Sequence, residues 1–483
     1  MRDLLIQKPL QQLMEEAKEE GAHTLKRVLG PWALTALGIG AIIGAGIFVL
    51  TGQAAAQHAG PAVPLSFVAA GLACAFAGLC YAEFASLIPI AGSAYTYGYA
   101  TLGELFAWII GWDLILEYAL GAATVSVGWA GYFVSLLEEF NILVPAAIAT
   151  PTFAQTAPGQ AATGGSYNLI AFLILLLIST VLAIGIKESA NINTTIVILK
   201  LGIVLIFVLA GISYVKPENW QPFIPPNTGT FGSFGWSGVL RGAAFVFFAY
   251  IGFDAVSTAA QETRNPKRDL PIGILVSLAI CTILYIVVSS VLTGLVSYKQ
   301  LGVPHPIALG IEATPFRWLG WIVKLGAVLG LGSVMLVMLL GQSRVFYAMS
   351  RDGLLPPIFS KVHPKFRTPY ITTLLTGLVV AVIAGLFPIG VLTHMVNIGT
   401  LLAFVIVSAS VIVLRVKRPD LPRPFKTPGY PVVPILGVAS SVTLMLFLPL
   451  DTWVRLGLWL VAGLLIYGLY GLRHSKVRAA RAG

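Results

Sequence analysis

Charged residues are scarce in this chain. Asp, Glu, Lys and Arg make up 10% of its 483 residues, against about 25% in an average soluble domain. Hydrophobic residues reach 57%, so a soluble fold of this size would have too few charges to cover its surface. The composition excludes a soluble enzyme, a disordered chain and a fibrous chain. It predicts an all-α protein embedded in a membrane.

Several kinds of site are also missing. The three cysteines, Cys74, Cys80 and Cys281, lie in apolar stretches and indicate neither a disulfide framework nor a metal site. No two histidines lie four residues apart around an acid, and the chain has no Walker loop and no GxSxG elbow. The net charge of +10 is spread in short clusters. We therefore expect no catalytic residue, no metal, no ATP and no nucleic acid.

Twelve stretches of about 20 mostly apolar residues are long enough to cross a bilayer. The stretches, numbered here as spans 1 to 12, are 32–55, 63–88, 105–136, 168–186, 194–214, 237–260, 271–296, 320–349, 370–388, 391–414, 431–450 and 454–472.

The distribution of basic residues predicts the orientation of these spans. With both termini in the cytoplasm, 23 of the 30 Lys and Arg residues lie on the cytoplasmic side, as the positive-inside rule requires. The polar first 30 residues contain no cleavable signal peptide. They predict a cytoplasmic amphipathic segment that lies on the lipid surface. We expect a multi-pass protein of the cytoplasmic (inner) membrane.

Two spans carry glycines that interrupt a helix. Span 1 contains GIGAIIGAGIF (38–48), which includes Gly40 and Gly44, and span 6 contains FVFFAYIGFDAVSTAAQET (245–263), which includes Gly252. They come first in spans 1–5 and in spans 6–10, and matched interruptions of this kind indicate the binding site of a transporter. The alternative for span 1 is a GxxxG motif that only brings helices close together.

Interrupted helices suit an amino acid because they expose backbone groups inside the membrane. The N-terminus of a half-helix presents N–H groups and a positive dipole to a carboxylate. Freed carbonyl groups accept from an ammonium or bind a cation. Two facing interruptions therefore complement both ends of an α-amino acid.

Three motifs resemble the amino acid–polyamine–organocation superfamily, and within it bacterial relatives of the cationic amino acid transporters. They are GIGAIIGAGIFVLTG, FFAYIGFDAVSTAAQETRNPKRDLPIGI and RVFYAMSRDGLLP, in a resemblance that runs from about residue 26 to 475. It implies the LeuT-type fold, with two inverted five-helix repeats and two extra helices. The implied units are the N-terminal segment 1–30, repeats 31–214 and 215–430, the last two helices 431–472 and a cytoplasmic tail 473–483.

The resemblance also implies which residues bind substrate. The carboxylate is expected on the turn of span 1, where Ala45 stands at a position that is often Thr or Ser in the family. The ammonium is expected on carbonyls of span 6, with the Phe248 ring as an outer gate. The side-chain end is expected against Met338 of span 8. The implied residues are Ile42, Ala45, Gly46, Phe248, Ala249, Ile251 and Met338.

Buried acids form a further set of candidates. Glu117 follows Asp113 by four residues on one face of span 3, and acids inside a membrane are by default functional. The alternative is a structural acid paired to a tyrosine or a helix-end amide. Asp254 of span 6 is either functional or the N-cap of the second half-helix.

Lys200 lies roughly 10 Å from the cytoplasmic start of span 5, and it is the one Lys or Arg that the predicted orientation assigns to neither side of the membrane. A lysine at this depth either snorkels to the interface or has a function. In sodium-driven relatives a sodium ion ties helix 1 to helix 8 nearby. The resemblance implies that the Lys200 ammonium takes its place, donating to carbonyls around residues 38–41 and carrying the coupled proton.

These observations predict a secondary transporter that imports L-amino acids, coupled to protons, by alternating access. Spans 1, 2, 6 and 7 would rock against spans 3, 4, 8 and 9. We expect no cofactor and no sodium site, and lipid as the surrounding solvent. The alternatives are amino acid exchange and a non-transporting amino acid sensor. The sequence does not decide between small neutral and cationic amino acids as substrates.

Overall fold

A computed structural model describes residues 6–9, 29–88, 93–153, 166–185, 190–366 and 368–482. Most of the predicted segment 1–30 lies outside these residues. The described residues form helices and their connections, with one isolated bridge between Leu29 and Thr263. The fold is therefore all-α, as the composition predicts.

Helices occupy every predicted span. Bounds differ from the prediction by a few residues, except where spans 1 and 6 are interrupted. In chain order the helices are Pro31–Ile42 and the segment that begins at Gly46, then Val63–Leu87, Glu104–Glu138, Leu169–Ile184, Ala190–Gly211, Gly235–Val246, Pro266–Leu295, Leu319–Arg351, Tyr370–Leu386, Ile389–Lys417, Val432–Leu446 and Leu450–Ile466.

Eight helical segments of the described chain are long and apolar enough to cross a membrane, and four apolar helices are shorter. One segment, Gly46–Leu87, joins the second half of span 1 to span 2. Large apolar side chains point outward, among them Leu209 at 72% exposure and Leu458 at 66%. Exposed leucines suit a lipid surrounding, so the chain is a multi-pass membrane protein. The count of twelve spans stays a prediction.

Both glycine-rich spans are interrupted. The helix Pro31–Ile42 ends where Ile43 adopts extended geometry (ψ 100°), and helical structure resumes at Gly46 with a π-helical turn, Gly46–Leu50. In span 6, Gly235–Val246 tightens into the 3₁₀ turn Phe247–Tyr250. Gly252 follows with φ +118°, which L side chains rarely adopt. The helices over 32–55 and 237–260 are therefore each in two pieces, as the glycines in these spans predict.

Two groups of spans show extensive packing among their own members. Span 7 packs against spans 1 and 2, and span 6 packs against span 2. Span 3 packs against spans 4, 8 and 9. The helix of span 5 touches both groups, because it packs on span 1 and on span 8. A residue on span 5 is therefore placed to link them.

Candidate functional site

The two interruptions meet each other. A methyl group added to Gly46 would overlap Ala249 of span 6. One added to Gly252 would lie 3.0 Å from the carbonyl oxygen of Ala41 in span 1. Each break thus approaches the other at a position that has no room for a side chain. The geometry brings the freed backbone groups of both helices to one place.

Tyr285 of span 7, which is not among the residues predicted from the sequence, bridges the two breaks. Its hydroxyl lies 2.8 Å from the Ile42 oxygen and 2.7 Å from the Ala249 oxygen, and its side chain is fully buried. A hydroxyl has one proton, so it donates to one of the two carbonyls at a time. A signal was present, because a tyrosine in mid-span must find an acceptor for its hydroxyl.

The carboxylate-binding residues predicted in span 1 lie at the start of a helix. Ala45 precedes Gly46–Leu50, and the helical turns continue to Ala59. The first N–H groups of a helix have no acceptor within it, and the positive end of its dipole lies there. This arrangement suits an anion. The hydroxyl that Thr or Ser would supply is absent at Ala45, so only backbone groups are available there.

The packing alternative holds for part of span 1. A methyl group on Gly44 would lie 3.1 Å from Cγ2 of Val334, so Gly44 brings span 1 close to span 8. Gly40 has a different role, because its carbonyl oxygen accepts from Lys200. In the GxxxG motif, Gly44 therefore serves helix packing, and Gly40 serves the polar contact with Lys200.

The predicted ammonium-binding residues of span 6 are buried at the second break. Phe248 is 5% exposed, and its carbonyl oxygen accepts from the Ile251 nitrogen at 3.1 Å. The Ala249 oxygen accepts from Tyr285. A carbonyl oxygen has two lone pairs, so the Ala249 oxygen can accept a further donor such as an ammonium.

Lys200 reaches the break of span 1 from span 5. Its Nζ atom donates to the Gly40 oxygen at 2.7 Å and to the Ile43 oxygen at 3.0 Å. The side chain is 0% exposed, so the snorkelling interpretation is wrong. Gly40 lies in the predicted stretch 38–41, and Ile43 lies two residues beyond it.

The stem of Lys200 crosses a glycine of span 8. A methyl group on Gly330 would lie 3.2 Å from Cγ of Lys200, so this glycine makes room for the lysine. No carboxylate of the described chain forms an ion pair with Lys200, whereas buried Lys324 contacts both Glu139 and Glu312. Backbone carbonyl oxygens therefore accept from the ammonium of Lys200, whereas carboxylates accept from that of Lys324.

The three predicted acids are all buried. Asp113, Glu117 and Asp254 are 1%, 2% and 3% exposed. Tyr118 Oη donates to Asp254 Oδ2 at 3.5 Å, and Asp254 occupies the N-cap position of Ala255–Thr258. Both oxygens of Asp113 and Oε1 of Glu117 have no hydrogen-bond partner within the described ranges. The functional and structural interpretations of these acids both remain.

Met338 packs at the centre of the protein. It is 2% exposed, and its sulfur would lie 3.4 Å from a methyl group on Gly121 of span 3. Met335 and Leu339 beside it in span 8 are equally buried. The surface next to Met338 is therefore apolar.

Comparison with known proteins shows that the chain is similar to membrane transporters. Residues 29–466 match the family model described as amino acid permease. The chain is 53% identical over 463 residues to the branched-chain amino acid permease BcaP of Bacillus subtilis, which covers 95% of this chain and 96% of the relative. It is 48% identical over 475 residues to the methylthioribose transporter of the same organism, which covers 98% and 99%. The vacuolar cationic amino acid transporter 4 of Arabidopsis thaliana is 39% identical over 403 residues, or 83% of this chain and 66% of that protein.

The close approach at Gly46 generates a testable prediction. We expect Gly46→Val to lower amino acid uptake at least tenfold, because the added side chain overlaps Ala249 and separates the two breaks. Uptake by reconstituted vesicles measures it. Gly457→Val is the matched control, since nothing lies within 4 Å of a methyl group there. Normal uptake by a folded Gly46→Val protein would contradict the broken-helix site.

Proposed function

Because the chain belongs to the amino acid permease family, we propose that it imports L-amino acids across the cytoplasmic membrane by alternating access, coupled to protons. Both termini face the cytoplasm in this proposal. Twelve helices form a LeuT-type fold of two inverted five-helix repeats and two extra helices. Spans 1, 2, 6 and 7 rock against spans 3, 4, 8 and 9. The packing of span 7 on spans 1 and 2, and of span 3 on spans 4, 8 and 9, supports this grouping.

The proposed site holds the substrate by its α-carboxylate and its α-ammonium group. The carboxylate binds the N–H groups at the start of the second half of span 1, near Ala45 and Gly46. The ammonium donates to carbonyls of the span 6 break, near Phe248, Ala249 and Ile251. Tyr285 supports this arrangement, because its single proton can stabilise either the Ile42 or the Ala249 carbonyl while the substrate enters or leaves.

The observation that carries proton coupling is the pair of bonds from Lys200 to span 1. A charged ammonium on the Gly40 and Ile43 oxygens ties span 1 to span 5 and, through Gly330, to span 8. A neutral amine has lost one donor and its charge, so it binds carbonyls less strongly. Loss of the proton therefore releases span 1 and opens the inner gate. We expect no sodium requirement and no cofactor.

For the substrate side chain we propose a neutral aliphatic group. The buried surface around Met335, Met338 and Leu339 is apolar, which suits the branched-chain amino acids named for one relative. A cationic side chain would need an acid, and Glu117 is the central candidate. Binding of methylthioribose is a second candidate function, because the relative named for it matches nearly the whole chain. Competition against labelled leucine separates these ligands.

The neutralisation of Lys200 tests the coupling. We expect Lys200→Met to leave a folded protein that no longer accumulates leucine when an inward proton gradient is imposed, because no releasable ammonium remains on span 1. Uptake into proteoliposomes with and without the gradient measures it. Lys299→Met, which removes an exposed lysine, is the control and should keep the response.

The outcome also separates import from exchange. Counterflow of labelled against unlabelled leucine needs no proton, so Lys200→Met should retain part of it. Gradient-driven accumulation by Lys200→Met would contradict the lysine mechanism. In that case exchange or a relay through Glu117 would replace it.

The truncation of Met338 tests the substrate pocket. We expect Met338→Ser to admit larger or cationic side chains, so that arginine competes with labelled leucine at least tenfold better than in the wild type. Replacing Met338 also removes core packing, so Met445→Ser, at a buried methionine of span 11, controls for the loss of a core side chain. Unchanged selectivity in folded Met338→Ser would remove Met338 from the site.

A further inference from the structure

Asn397 lies in the middle of span 10 and is completely buried. Its Nδ2 atom donates to the Ala244 oxygen at 2.7 Å and to the Phe245 oxygen at 2.9 Å. Both acceptors belong to the last turn of Gly235–Val246, directly before the break of span 6. A side chain from another span therefore holds the end of this half-helix.

The acceptors need a partner because the helix stops there. The last four carbonyls of an α-helix have no N–H donor within it, and an unpaired carbonyl inside a membrane protein costs several kcal/mol. The amide of Asn397 supplies two donors at once, one for each oxygen. Its own oxygen has no hydrogen-bond partner in the described part of the chain. The contact thus depends on the donating end of the amide.

Asn397 and Lys200 occupy corresponding places. Each lies on the fifth span of a set of five and donates from one nitrogen to two carbonyls at the break of the first span of that set. The separations along the chain are similar, at 160 and 157 residues for Lys200 and 153 and 152 for Asn397. The two contacts repeat one arrangement in both halves.

We propose that Asn397 is the positioning residue of span 6 and the uncharged counterpart of Lys200. By fixing the end of Gly235–Val246 it aligns the carbonyls of the following turn, Phe247–Tyr250, toward the ammonium of the substrate. This role rests on the proposed function, because it assigns a part of the same site. An amide carries no charge and does not titrate, so the contact holds span 6 at any pH at which the protein is folded.

The titratable neighbours of this contact lie around Phe245. The rings of His58, in the helical turn Ala55–Ala59 after span 1, and of His394 in span 10 pack against the Phe245 ring, with centroids 5.5 and 5.3 Å away. Arg241, one turn earlier in span 6, donates to the Phe231 oxygen. These groups are present in the wild type and in variants of Asn397 alike. Any pH dependence of uptake that these groups cause should therefore be the same in the wild type and in the Asn397 variants.

Two variants test the assignment. Asn397→Leu removes the amide, and Asn397→Asp keeps its shape but replaces the two donors by an acceptor. We expect both to raise KM for leucine at least tenfold while the pH profile of uptake keeps its shape. Asn219→Leu is the control, because it breaks an amide-to-carbonyl bond of 2.7 Å to Gly294 away from the breaks.

A ligand without an ammonium gives an independent readout. The hydroxy-acid analogue of leucine lacks the group that Asn397 helps to bind, so its weak inhibition should change less than threefold in either variant. If Asn397→Leu does not fold, the KM of Asn397→Asp for leucine and its inhibition by the analogue still test the assignment. A lower melting temperature with unchanged KM would mean that Asn397 is merely structural and would overturn the assignment. Absence of leucine uptake by the wild type would overturn the proposed function as well.

Discussion

An interrupted helix inside a membrane depends on donors from its neighbours. Hydrocarbon cannot satisfy the carbonyls that a break sets free, and in this protein three side chains do so. Lys200 of span 5 holds the end of the first half of span 1, and Asn397 of span 10 holds the same part of span 6. Tyr285 of span 7 lies between the two breaks. The proposed site depends on these contacts, because they satisfy the freed carbonyls and hold the two breaks beside each other.

The three donors differ in what a proton does to them. The ammonium of Lys200 can lose its proton, the hydroxyl of Tyr285 can turn between two acceptors, and the amide of Asn397 does neither. In the proposed mechanism only span 1 is released by proton loss, while span 6 keeps its geometry for the ammonium of the substrate. Coupling then arises from a difference between two otherwise matching contacts.

Much of this arrangement could be predicted from the sequence. Glycines mark both breaks, and the resemblance to the superfamily implies that Lys200 donates to carbonyls of span 1, where the structure places its bonds to Gly40 and Ile43. Tyr285 and Asn397 were not predicted, because nothing in their local sequence indicates which distant carbonyl accepts their hydrogen bonds. The acceptors lie 243 and 36 residues from Tyr285, and 153 and 152 residues from Asn397. The room that Gly330 makes for the stem of Lys200 is shown by the structure alone.

The most direct test of proton coupling is the movement of protons with substrate. Purified protein is reconstituted into vesicles that contain a pH indicator, and leucine is added outside without any imposed gradient. If protons enter with leucine, the vesicle interior acidifies during leucine uptake, at the same rate in sodium and in potassium buffer. Leucine entry without acidification, or entry that requires sodium, would contradict proton-coupled import.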